Sequence, residues 1–155
     1  MENNSPEKKL ASLNLILPPA PPPAGLYKPI RICEGYLYVS GQSPMKEDGT
    51  YIRGRAGVDL DRDQAKEAAR QVGKTMLSTI QTHFGSLDQI NYLVKTLGMV
   101  NGSPDFCEYP YVINGFSELM AEVFGPEKGV GARSAVGMFL PDNVAVEIEA
   151  IFKLH

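Results

Sequence analysis

Only two long stretches of this chain repeat their apolar residues at helical spacing, and the rest of its apolar content comes in short runs of strand length. The first begins at Asp61 and Gln64, three residues apart as in a capping box, and carries Ala65, Ala68, Ala69, Val72, Met76 and Ile80 on one face up to Gly85. The second carries Val112, Ile113, Phe116, Leu119, Met120 and Val123, with Pro110 setting a first turn from Pro104 apart from the main body. Strand runs at residues 29 to 33 and 36 to 40 flank Glu34-Gly35 as a hairpin, and Ser40-Gly41-Gln42 closes the second of them. A short strand is expected near Arg53 to Gly57 and a long one over residues 88 to 100. Two more span 132 to 140 and 144 to 153, joined by a tight turn at Pro141-Asp142-Asn143. The order β-β-(β)-α-β-α-β-β predicts an α+β fold, a mixed β-sheet with two helices on one face. Two helices cannot cover both faces, so the other must meet solvent or another subunit.

At 155 residues and 43% hydrophobic content, the chain has material for one core and little for a second. Ser5-Pro6-Glu7 has the order of an N-cap, a first-turn proline and a dipole-favoured acid, which predicts a short helix over residues 6 to 13. From Leu17 to Gly25 the prolines fix φ and remove amide donors, favouring an extended polyproline strap. Residues 1 to 23 therefore read as a helix and proline-rich arm tied to the surface of a domain spanning 24 to 155.

A formal charge of −3, with no run of Lys/Arg interleaved with aromatics, argues against nucleic acid as a partner. The opening MENNSPEKKL lacks the apolar core of a signal peptide, and no apolar run approaches the roughly 20 residues that span a bilayer. A soluble, cytoplasmic protein with no membrane partner is expected. Cys33 and Cys107 are too few for a disulfide framework and lack metal-ligand spacing, so both read as reduced packing residues. With His83 and His155 as the only histidines, and no phosphate loop, dinucleotide fingerprint or nucleophile elbow, neither a metal site nor a histidine triad is expected.

What remains is Arg133 and the pair Glu147 and Glu149, on what read as neighbouring C-terminal strands. Alternation puts Arg133, Ala135 and Gly137 on one side of their strand, a set too small and too mixed for a plain solvated surface. A strand-held guanidinium offers a planar fork to a carboxylate or phosphate and stays charged, which makes Arg133 a candidate substrate clamp. Two acids at i and i+2 on one face stand about 7 Å apart, close enough in a shielded cleft for each to raise the other's pKa. One could then exchange protons near neutrality. The bland alternative is an ordinary Arg-Glu bridge across a hairpin.

At these residues the sequence resembles the RidA/YjgF family, also called the endoribonuclease L-PSP family. The resemblance is carried by Ala132-Arg133-Ser134, Leu140-Pro141 and Val146-Glu147-Ile148-Glu149-Ala150-Ile151, with Val39-Ser40-Gly41-Gln42, Pro44, Tyr27 and Asn114 extending it over about residues 24 to 153. The proline-rich arm and the wording Gly131 to Gly137 look like a longer, less characterised branch, and Ala135 stands where well-known members carry cysteine. The resemblance implies a chorismate-mutase-like fold and homotrimers with a central β-barrel and clefts at subunit boundaries. It also implies an enamine/imine deaminase that converts 2-aminoacrylate-type 2-imino acids to 2-keto acids and ammonia without a cofactor. By similarity Arg133 binds the substrate carboxylate and Glu147 positions or activates water. Tyr27, Ser40, Gly41, Asn114 and Ala135 line or shape the cleft. The competing expectations are a noncatalytic trimer that captures small carboxylates and, ranked last on charge, a ribonuclease.

Overall fold

The computed structural model describes residues 4–155. Local sequence signals account for most of its elements. Asp61 caps helix α2 (Arg62–His83): its carboxylate accepts from Gln64 N at 2.8 Å while its own N–H donates to Gln64 Oε1 at 2.9 Å. The periodic residues from Ala65 to Ile80 are fully buried. Helix α3 (Tyr109–Phe124) buries Val112, Ile113, Phe116, Leu119 and Met120 against α2 and the sheet. Strands β1 (Ile30–Cys33) and β2 (Tyr36–Gln42) form the expected hairpin, and its turn residues Glu34 and Gly35 sit at φ 47° and 77°, as a two-residue primed turn requires.

Helix α1 (Pro6–Ser12) is capped by Ser5 and docks through Leu10, which is buried, and through Glu7. The Glu7 carboxylate accepts from Leu87 N at 2.7 Å and from Gln81 Nε2 at 2.8 Å. The proline strap runs on from there toward β2. No helix among the described residues is long and apolar enough to cross a membrane.

Strands β3 (Ile90–Val100), β4 (Ala132–Gly137) and β5 (Val146–Leu154) complete one five-stranded sheet in the order β1-β2-β5-β3-β4. The fold is α+β, and its sheet is mixed because β3 and β4 run parallel while the other pairs are antiparallel. Helices α2 and α3 share one face. Two expectations fail. Around Arg53 to Gly57 only isolated bridges form, from Arg53 to Val144 and from Ala56 to Leu60 and Gly102; Gly54 and Gly57, at φ 122° and 90°, break extended pairing there.

The larger correction concerns the C-terminal strands, which are not neighbours. Helix α3 separates β3 from β4, and this helical crossover lays β4 parallel to β3 at the outer edge of the sheet. β5 then inserts between β2 and β3, antiparallel to both. Residues 138–145 are thus a connection that crosses a strand, and the expected tight turn is a short 3-10 turn, Pro141–Asn143, with Asp142 and Asn143 at φ 55° and 54°.

Register assigns the faces. Val39, Ala150, Thr96 and Arg133 stand in one cross-sheet row on the side packed by helices. Tyr38, Ile151, Lys95 and Ala132 form the next row, on the side that α2 and α3 leave open. That open face carries half-buried Leu97, Met99 and Ile151 together with exposed Tyr38, and Tyr38, Leu97 and Ile151 line a groove of about 330 Å³ there.

Candidate functional site

Tyr27, Ser40, Gly41 and Glu147 come together on one side of the molecule. The β2–β5 register slips between Val39↔Ala150 and Gln42↔Ile148, so Ser40 and Gly41 together oppose the single residue Glu149 as a β-bulge. A Cβ at Gly41 would overlap Glu147 Oε1, so in this conformation the carboxylate rests against the bare backbone of the bulge. Ser40 Oγ donates to Lys28 O at 2.6 Å, which pins the chain entering β1. Tyr27 Oη accepts from Ala24 N at 3.1 Å, so the ring closes the end of the proline strap. Gln42 is buried; its Nε2 donates to Ser40 O at 2.9 Å and its Oε1 accepts from Thr79 Oγ1 at 2.8 Å, bracing the bulge against α2. Tyr27, Ser40, Gly41 and Glu147, with Ser43, Pro141 and Glu149, line a cleft of about 450 Å³ that has no Lys or Arg in its lining.

Glu147 is half-buried and faces Met99 across the ladder. Its carboxyl is pushed above the usual carboxylate range, first by burial and second by the neighbouring Glu149 charge. Because folding raises this pKa, the folded state binds the proton more tightly than the unfolded chain, and stability falls as pH climbs from the ordinary carboxylate range through the raised value. Glu147→Gln is therefore expected to unfold at a higher temperature than the parent at about pH 7.5, with the gap closing on acidification to about pH 4. Melting curves across that range check this; a gap that does not vary with pH would count against it.

Arg133, Asn114 and Ala135 lie elsewhere. Arg133, Ala135 and Gly137 pair with Thr96, Gly98 and Val100 on the side of the sheet facing α3, which explains why that set is small and mixed: a Cβ at Gly137 would run into the Tyr109 ring. Arg133 Nη1 donates to Ser117 Oγ at 3.0 Å and Nη2 to Pro110 O at 3.1 Å. Asn114 sits between those two positions on the same face of α3. No carboxylate pairs with Arg133 among the described residues, so the Arg-Glu bridge does not form, and the guanidinium keeps donors uncommitted to the protein.

Within one chain Arg133 and Glu147 therefore do not meet. Arg133 is level with Ala150, two strands across and three residues along from Glu147, roughly 14 Å between Cα atoms and on the opposite face. Sequence reasoning missed Ser117, Gln42 and Pro141. Ser117 had a signal in its i+3 spacing from Asn114, and Gln42 and Pro141 stand within the motifs that carry the family resemblance, though neither was assigned to the site.

The profile described as Endoribonuclease L-PSP matches residues 18–153. The chain belongs to the endoribonuclease L-PSP family. This is the RidA/YjgF family of the sequence resemblance, and the L-PSP match takes in both halves just described. Protein TCP17 of Trypanosoma cruzi is 40% identical over 148 residues, 94% of this chain and 92% of that one. The crystal structure of Atu1372 from Agrobacterium tumefaciens, a protein of unknown function, is 39% identical and covers 97% of this chain and 94% of its own, with a TM-score of 0.85. A structure from Shewanella oneidensis MR-1, provisionally named an endoribonuclease, reaches a TM-score of 0.92 at 27% identity, covering 97% of this chain and all of its own.

Proposed function

We propose that this L-PSP protein is an imine/enamine deaminase that hydrolyses reactive 2-imino acids to 2-keto acids and ammonia, in clefts that two protomers of a homotrimer build together. The observation that carries this reading is the split of the site. A guanidinium without a carboxylate partner lies at the β4–α3 edge, and a carboxyl with a raised pKa lies beside the β2 bulge on the other face. Each half suits one end of a 2-imino acid, and only a second copy can bring the two ends within reach of one small molecule. The half-buried apolar residues of the open sheet face support such packing, since Leu97, Met99 and Ile151 gain by being covered.

In this reading Arg133 of one protomer holds the substrate carboxylate, and the imine carbon lies over Gly41 of the next. Glu147 accepts a proton from the attacking water. As the oxygen bonds to the imine carbon, Glu147 passes the water's proton to the nitrogen, giving a carbinolamine. The carbinolamine hydroxyl then gives up its proton, which the same carboxyl relays to the nitrogen as the C–N bond breaks, so that the carbonyl forms and ammonia leaves. A carboxyl poised above its usual range suits both transfers, and an imine needs little beyond orientation and proton exchange. The acidic cleft lining disfavours a phosphate backbone, which ranks RNA cleavage below imine hydrolysis.

The test is 2-keto acid formation from enzymatically generated 2-aminoacrylate. Arg133→Ala is expected to lower kcat/KM at least about 100-fold, the scale of losing a charge-assisted pair. Equal rates for parent, variant and buffer would end the proposal. The uncommitted guanidinium also fits a second reading, capture without turnover. There Arg133→Ala would lose small-carboxylate binding, Glu147→Gln would keep it, and the parent would form no keto acid.

A further inference from the structure

The proline strap does more than reach the cleft: it roofs a separate chamber behind it. This chamber, of about 90 Å³, lies between Pro21–Pro23 above, the end of β2 below, and the side chains of Tyr27 and Tyr51. Ala24, Tyr27, Gly41 and Ser43 line both the chamber and the cleft that holds Glu147, so the two are contiguous. The roof is stiff, because consecutive prolines have fixed φ, and it presents no amide N–H to solvate. Its far end is anchored where Glu7 and Leu10 dock α1. Two of the polar groups nearby are engaged elsewhere, Tyr27 Oη with Ala24 N and the Gln42 amide with Ser40 and Thr79, while Ser43 and Tyr51 also line the chamber. Tyr51 is half-buried and lines the chamber together with Tyr27; burial first, and the nearby Tyr27 hydroxyl second, raise its phenol above the usual range.

We propose that this chamber receives the substrate's side chain and that the strap sets the upper limit of its size. The protein then selects 2-imino acids with short side chains and excludes aromatic ones. This rests on the cleft being a 2-imino acid site. A cavity of about 150 Å³ accepts benzene, so a chamber of about 90 Å³ takes a side chain of up to about four heavy atoms and no ring; the limit is one of size, because Gln42, Ser43 and two tyrosines share the lining with the prolines. With the imine carbon over Gly41, the side chain projects past Tyr27 under Pro22.

The experiment uses the full-length protein with imines made in situ by an amino-acid oxidase from alanine, 2-aminobutyrate, leucine and phenylalanine. Imine loss is measured, together with calorimetric binding of the matching 2-keto acids. The alanine-, 2-aminobutyrate- and leucine-derived members are expected to be accepted within about tenfold of one another, and the phenylalanine-derived one at least about 100-fold less well. Tyr51→Ala and, separately, Pro22→Ala are expected to raise the phenylalanine-to-alanine ratio about tenfold or more, and the second variant carries the test should the first not fold. A parent series with no size limit, an absence of keto-acid binding, or unchanged ratios in the folded variants would overturn the inference. Binding that respects the size limit without turnover would keep the chamber and sink the deaminase. Turnover that ignores size would do the reverse.

Discussion

An equimolar mixture of Arg133→Ala and Glu147→Gln chains, unfolded and reassembled together, is expected to regain about one quarter of parental activity, although each variant alone is nearly inactive. The figure follows from the division of the site. A cleft works when the protomer supplying the guanidinium is the Glu147 variant and the protomer supplying the carboxyl is the Arg133 variant. At equal abundance each condition is met about half the time. Were both groups to act from one chain, no mixed cleft would be whole and activity would stay at the level of the single variants. The geometry makes that second outcome unexpected, because Arg133 packs toward Ser117 and Pro110 while Glu147 opens beside Gly41 on the other face of the sheet. A mixture no more active than its parts would refute the shared cleft while leaving the fold untouched.

Gly115→Val is expected to lower stability by about 3 kcal/mol or more, a fall in Tm of roughly 10 °C for a chain of this size. Gly115 lies where α3 crosses α2, and a Cβ there would overlap the Lys66 carbonyl oxygen, with Lys66 C at 3.0 Å and Arg70 N at 3.1 Å. These are backbone atoms, which cannot rotate away as a side chain can, so the helices must separate. The ion pairs beside the crossing, Lys66–Glu118 at 3.0 Å and Arg70–Glu122 at 2.8 Å, would stretch with them. The damage reaches the site as well, because Asn114 and Ser117 flank this glycine and Ser117 holds Arg133. Thermal and urea unfolding read the effect; a variant that melts within a degree or so of the parent would show that the crossing has slack.

The contrast between these two predictions follows from how far each feature reaches along the chain. The α2 capping box is written in four consecutive residues, and its apolar period returns every turn, so both were legible. The Glu34-Gly35 turn was equally local. The bulge at Ser40 and Gly41 was not, because an extra residue on β2 has meaning only against β5, more than a hundred positions later. The family resemblance pointed to Arg133, Glu147 and their companions as a group, but it did not say which face each occupies. Reading β4 and β5 as a hairpin followed from their closeness in sequence; the α3 crossover, which makes β4 a parallel partner of β3, outweighs that closeness.

By itself, then, the sequence determined the helices, the hairpin, the strap, the α+β class and the shortage of helix to cover a second sheet face. These depend on torsional preference, capping and apolar period, which act over a few residues. Tertiary structure alone decided that β5 lies inside the sheet and β4 at its edge, that Arg133 and Glu147 face opposite ways, and that the strap roofs a chamber beside Gly41. Those outcomes come from pairing and packing between distant segments, where each strand's neighbours are set by the burial of the whole sheet rather than by any stretch of it.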